Sequence, residues 1–214
     1  MTRVAGTAPA DVFPAGLLEG PVDEVARALL GSRLVSTVGG RRVVGMIVET
    51  EAYGGPGDPA SHAATASGVT ARNRVMFGPP GHAYVYRSYG VHWCMNVVTG
   101  REGEAGAVLV RGIVPIDGEE VMRERRRGAG ALGAGPGRLC QALGITGALY
   151  GHRLTEAPLV LESGAPVDQD EIGTSRRVGV SSAADWLRRF YVLGSAGVSR
   201  PDGWGAVGRD PVSR

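Results

Sequence analysis

Ile47-Val48-Glu49-Thr50-Glu51-Ala52-Tyr53 is the stretch on which the reading of this chain turns, and His62 follows nine residues after its tyrosine. An apolar run rich in β-branched residues ends in two carboxylates and an aromatic ring at alternate positions. Strand side chains alternate between faces with a period of two. On a regular strand Ile47, Glu49, Glu51 and Tyr53 share one face, opposite Met46, Val48, Thr50 and Ala52. An acid beside a flat ring at the end of a strand suits activation of water next to a stacked, planar ligand. Taken in isolation, Glu-x-Glu better fits a strand running into solvent with two hydrated glutamates, because acids are mostly exposed.

The flanking sequence extends this strand into a sheet. Residues 34–38 and 41–53 read as a hairpin closed at Gly39-Gly40, and residues 21–30 before it as an amphipathic helix stopped by Gly31. After the strand, residues 54–81 form a long, poorly periodic segment, of the kind that usually carries function. Residues 82–88 and 91–98 read as two strands joined tightly around Tyr89-Gly90. Residues 107–114 form another strand, with Leu109, Arg111 and Ile113 on one face. Asp117 is suited to cap a helix running to about Arg127, and Pro136 to open a second one ending at Leu143. Weaker strand signals lie at 159–161, 177–181 and 189–193. The fold expected is α+β: a single domain with a curved, largely antiparallel sheet, surrounding helices and a protruding β-hairpin. Residues 1–17 are expected to be a flexible lead-in, 18–200 the domain and 201–214 a loose tail.

Composition narrows the chemistry. The chain has 214 residues, 43% hydrophobic and 21% charged, ordinary values for a globular protein able to bury a core without metal or disulfide staples. No stretch approaches the length of a membrane span and no targeting pattern opens the chain, so the cytoplasm is the expected compartment. Cys94 and Cys140 are the only cysteines and are expected to be free, buried thiols. The four histidines are scattered, which supports no zinc site; neither a metal nor another cofactor is expected. There is no lysine, so all 23 basic residues are arginine. That excludes a lysine Schiff base and a phosphate-loop lysine, whatever the glycine-rich stretch 128–137 does. The arginines cluster at 123, 125, 126 and 127 and again at 176, 177, 188 and 189, either as phosphate forks or as solvated charge runs.

Three of the six tyrosines, Tyr84, Tyr86 and Tyr89, fall within six residues. Tyr84 and Tyr86 share a strand face and could line an aromatic slot with Tyr53 and His62, or could simply pack a sheet. Tyr89, beside a turn glycine, is placed for exposure and is apt as a wedge entering a base stack.

Several motifs then stand in a fixed order: 49–53, His62, Thr70-Ala71-Arg72-Asn73-Arg74-Val75-Met76-Phe77, Tyr84-Val85-Tyr86-Arg87-Ser88-Tyr89-Gly90, Cys94-Met95-Asn96, 107–111 and Gly135-Pro136-Gly137-Arg138-Leu139-Cys140. With these the chain closely resembles the alkyladenine (3-methyladenine) DNA glycosylase family of base-excision repair, from about Leu29 to Ser199. It departs at Arg138, where the family often has lysine. The resemblance implies a partner, duplex DNA containing damaged purines, and an enzyme whose hairpin enters the minor groove; a monomer is expected, because such a probe works alone. It implies that Tyr89 fills the gap left by a flipped nucleotide and that Tyr53, His62 and Tyr86 sandwich the flipped purine. Glu51 would deprotonate water aimed at C1′, assisted by Arg111 and the main-chain carbonyl of Val178. Asn96 would crowd the exocyclic amine of normal guanine. Glu49 matches no catalytic position and is taken as structural. Two other classes fit the residues less well: a non-catalytic nucleic-acid-binding module, in which Glu51 would be idle, and a hydrolase of free nucleosides, in which Tyr89 and the basic clusters would be superfluous.

Overall fold

The computed structural model describes residues 12–64, 68–128 and 130–199. Its centre is β2 (Val43–Tyr53), the strand that carries the two glutamates, built from Val, Ile and Thr residues that favour extended backbone. One edge of β2 pairs along nearly its whole length with β5 (Ala107–Asp117). The other edge is shared: β1 (Arg33–Ser36) covers its first half and β8 (Arg189–Val192) covers Glu49 to Glu51. The sheet has eight strands, all paired antiparallel. Its main path runs β3 (Ala83–Ser88), β4 (His92–Val98), β5, β2, β1, β6 (Leu159–Glu162), and β7 (Ile172–Ser175) joins through β8. Packed against it are α1 (Ala15–Leu18), α2 (Val22–Ala28), α3 (Glu119–Arg125) and α4 (Pro136–Leu143), which makes the fold α+β as expected. No helix among the described residues is long and apolar enough to cross a membrane.

Local chemistry sets the ends of these elements. Asp23 and Glu24 sit in the first turn of α2, where the helix dipole favours them, and Arg27 in its last. Proline opens α4 and Leu143 ends it, both where the sequence placed them, and left-handed Gly144 caps the end. The turn at the tip of the β3–β4 hairpin puts Tyr89 and Gly90 at φ of 50° and 69°. Positive φ at both central residues is what a tight hairpin turn of matching twist needs, and it is costly for tyrosine. Tyr89 is 92% exposed there. Cys94 and Cys140 are free and buried.

Several expectations are corrected. Residues 177–181 form a loop, and the strand of that region is Ile172–Ser175. The alternation of Val178 and Val180 mimics a strand, but both residues line a cavity instead of a ladder. Asp117 ends β5 and pairs with Arg42, leaving left-handed Gly118 to precede α3. A six-residue loop, 37–42, with Gly39 and Gly40 both at positive φ, replaces the two-residue turn at Gly39-Gly40, and β4 begins at His92, not Val91. The lead-in expected over 1–17 is described from residue 12 onward, where Phe13 is buried in the core and Ala15–Leu18 is helical. Residues 1–11 and the tail from 200 onward lie outside the described residues.

The largest departure sits in the middle of β2. Ile47 pairs with Ile113 and Thr50 with Val110, but between them Glu49 pairs with Gly112, leaving Val48 and Arg111 as unpaired extra residues on opposite strands. These two bulges cancel in register, and each switches the inward face of its own strand. Ile47 and Ile113 therefore join the same core cluster as Ala52, Val108 and Val110. Glu49, Glu51 and Tyr53 no longer share a face with Ile47, nor Leu109 and Arg111 with Ile113. Gly112 permits this crossing: a Cβ there would run into the Gly197 carbonyl oxygen and come 3.0 Å from Glu49 Cβ. Gly112→Ala is expected to lower stability by about 1–3 kcal/mol, measured as an earlier midpoint of urea unfolding.

Candidate active site

Beyond the bulges, four charged side chains converge between β2, β5 and β8. Glu49 and Glu51 have no exposed surface, and Arg111 and Arg189 are 7% and 3% exposed. Glu49 accepts from Arg189 Nε at 2.6 Å, Arg111 Nε at 3.1 Å, Ser199 N at 2.6 Å and Ser199 Oγ at 2.8 Å. Glu51 accepts from Val178 N at 2.7 Å and from the Tyr53 hydroxyl at 2.7 Å, and lies 3.4 Å from Arg111 Nε. Two acids are thus balanced by two guanidiniums, the condition under which charges survive away from water. Burial alone would make the Arg111 proton easier to lose; Glu51 and Glu49 beside it outweigh that and raise its pKa.

A cavity of about 460 Å³ opens in front of this cluster, within the range for small ligands. Tyr53, Arg111 and Val178 line its inner end, and His62, Tyr84, Tyr86 and Asn96 its walls. Glu51 itself has no surface in it. The acid sits one layer deeper than the sequence suggests, directly behind three lining residues that it touches.

The aromatic wall is built by β3 and by the loop after β2. Tyr84 and Tyr86 lie on the same face with ring centroids 5.3 Å apart. His62 stands edge-on to Tyr86 at 4.7 Å, and its Nδ1 is 2.7 Å from the Tyr84 hydroxyl. Asn73 holds that loop in place, donating to the carbonyls of His62 and Gly68 at 2.9 and 3.0 Å while its Oδ1 accepts from Thr70. Asn96 donates to the Tyr84 carbonyl at 2.9 Å. Burial pushes the Tyr84 phenol up to about 12, against the hydrogen bond and charge of Arg72, and raises Tyr53 and Tyr86 further. All three rings are therefore neutral at pH 7. Arg72 stacks 5.2 Å from the Tyr86 centroid at the same wall.

The structure brings together all the site residues expected from the sequence, with Tyr89 among those lining the outer part of the cavity. For Val178 the contact shown is its amide N–H. Sequence reading missed Tyr84 as the partner of His62, and Asn73, whose place in the ordered motif 70–77 was the only signal. It also left the 176–189 arginines open as phosphate forks. Arg177, Arg188 and Arg189 instead turn inward, to Asp58, to Asp23 and Asp58, and to Glu49. Of the first cluster, Arg125 donates to the Ala142 and Val38 carbonyls and Arg123 pairs with Glu119.

Comparison with known proteins gives this arrangement its class, the DNA N-glycosylases. Residues 17–196 match the family described as Methylpurine-DNA glycosylase (MPG), and the chain belongs to that family. Among its relatives, a protein of Nitrosospira multiformis is 48% identical over 181 residues, covering 83% of this chain and 89% of the relative. A protein of Chlorobaculum tepidum is 48% identical over 183 residues (84% and 87%), and one of Methanoculleus marisnigri 48% identical over 197 residues (88% and 98%). All three are provisionally named as 3-methyladenine DNA glycosylases.

Burial, and then the Arg72 cation, hold the His62 imidazole below its ordinary value of 6.5. The folded protein binds fewer protons at this group than the unfolded chain, so its contribution to stability falls as pH drops below 6.5 toward the folded-state value. An NMR titration is expected to place the His62 midpoint below 6.5, and Arg72→Gln to move it upward. A midpoint at or above that value would contradict the assigned environment.

Proposed function

We propose that this enzyme removes alkylated or deaminated purines from double-stranded DNA by hydrolysing the N-glycosidic bond, leaving an abasic site. The observation that carries the reading is Glu51: fully buried, yet touching the three residues that close the inner end of an aromatic cavity.

In this reading Tyr89 enters the base stack from the minor groove and offsets part of the unstacking cost as the damaged nucleotide swings out. The purine slides between Tyr53, His62 and Tyr86. Stacking in such slots is worth about 1–3 kcal/mol per base. As the Tyr53 ring turns against the base, its hydroxyl leaves Glu51 and water takes its place. Glu51 accepts a proton from that water while the oxygen bonds to C1′. The bond from C1′ to the base nitrogen breaks, and its electron pair leaves with the purine. Arg111 holds the acid in line, and the Val178 carbonyl completes the water's hydrogen bonds. Asn96 discriminates against the exocyclic amine of normal guanine. A purine alkylated at N3 or N7 is cationic; it leaves as a neutral base and is favoured by the electron-rich rings. Hypoxanthine and ethenoadenine lack both advantages. The enzyme acts as a cytoplasmic monomer and uses neither metal nor cofactor.

Duplex oligonucleotides carrying one hypoxanthine, ethenoadenine or alkylpurine, treated with alkali after incubation, report excision directly. Glu51→Gln is expected to abolish base release while keeping affinity for lesion-containing duplex. Undiminished release would refute Glu51 as the base, binding without any release by the unaltered protein would mark a binding module, and release from free nucleosides alone a nucleoside hydrolase. Tyr89→Ala is expected to weaken binding of lesion duplex by about tenfold or more, with the fold unchanged by circular dichroism.

A further inference from the structure

Beside Glu51 lies a second buried ion pair that the proposed chemistry does not use. The Arg177 side chain is fully buried and Asp58 is 2% exposed. The guanidinium grips the carboxylate with both ends, Nη1 at 2.6 Å and Nη2 at 2.9 Å, and Nη1 also donates to the Ala52 carbonyl at 3.0 Å. Asp58 is fixed in turn by the Gly54 and Ala60 amides at 3.0 and 3.1 Å and by Arg188 at 3.2 Å. Burial opposes ionisation of Asp58, but the Arg177 hydrogen bonds and the Gly54 amide overcome it and hold the pKa below its ordinary value. The guanidinium lies 4.8 Å from the centre of the Tyr53 ring. The next residue along the chain is Val178, whose N–H is bonded to Glu51.

We infer that Asp58 and Arg177 are positioning residues: their two-pronged contact sets where Val178 meets Glu51 and where Tyr53 stands. The inference rests on the reading of Glu51 as the base. Residues 177–181 belong to no strand, so no ladder of main-chain bonds aims the Val178 amide. The planar fork does so instead, tying this loop to the end of β2 through Ala52 and to the loop at 54–60. A carboxylate that has to point at one water needs its support rigid, and small misplacements at such sites cost much of the rate.

Arg177→Lys keeps the charge and removes the fork. The double variant Asp58→Asn/Arg177→Met removes both partners, so that no buried charge is left unpaired. Each is measured for melting temperature, affinity for lesion duplex and single-turnover excision of hypoxanthine and of 7-methylguanine. Hypoxanthine excision is expected to fall about 100-fold at nearly unchanged affinity. The loss for 7-methylguanine should be several-fold smaller, because its bond is already weakened and depends less on aim. Equal losses for both lesions, in step with the folded fraction, would make the pair structural only and overturn the inference, as would excision at the wild-type rate. If Glu51→Gln itself excises normally, the assignment of the base fails first; if that variant is inactive while both fork variants keep the wild-type rate, only the positioning role fails.

Discussion

The burial of Glu49 is the constraint around which this molecule is arranged. A carboxylate with no access to water needs compensation from every side, and here it comes from three separate parts of the chain: Arg111 on β5, Arg189 on β8 and the amide and hydroxyl of Ser199. Satisfying that one group ties the last described residues to the strand at the centre of the sheet. It also leaves Arg111 with Glu49 on one side and Glu51 on the other. The residue taken from the sequence as merely structural thus joins Glu51 in raising the pKa of Arg111 against the effect of burial.

Around that centre the protein keeps polar groups out of solvent by exhausting their partners. Both Glu51 oxygens have donors, Asp58 has five, and His62 meets Tyr84. Groups so held have little freedom to reorganise, so the lining of the cavity is preorganised. The exception is the hairpin tip, where Tyr89 is held at an unfavourable φ and left in solvent. Strain of that kind, in a side chain that nothing covers, fits a contact made with a partner.

Much of the fold was legible because its signals are local. Proline and glycine bound α4, the Tyr89-Gly90 pair closes the hairpin, and β-branched alternation marks β2. The pocket residues were legible through ordered motifs, though their depth was not: Glu51 reads as an exposed acid until β8 and the 177–181 loop cover it. Two kinds of feature left no trace. The buried arginines look like any surface cluster, since partners such as Asp58, 119 positions from Arg177, are fixed only by the tertiary fold. The irregularities at Val48 and Arg111 are silent because both faces of the two strands are buried around them, so burial offers no alternation that a slip of phase could break.

The two extra residues differ from the rest of their strands in what their loss would do. The inner half of β2 carries core residues and the outer half carries the acids, with a phase slip of one residue between them. Removing Val48 alone would make β2 regular and leave Glu49 to Tyr53 on the sides they hold now, with Glu49 still opposite Gly112 and Arg111 still the extra residue of its own strand. A deletion at either bulge therefore spares the faces of both strands, whereas one at a regularly paired position such as Thr50 would turn every residue between it and the bulge or strand end to the opposite side.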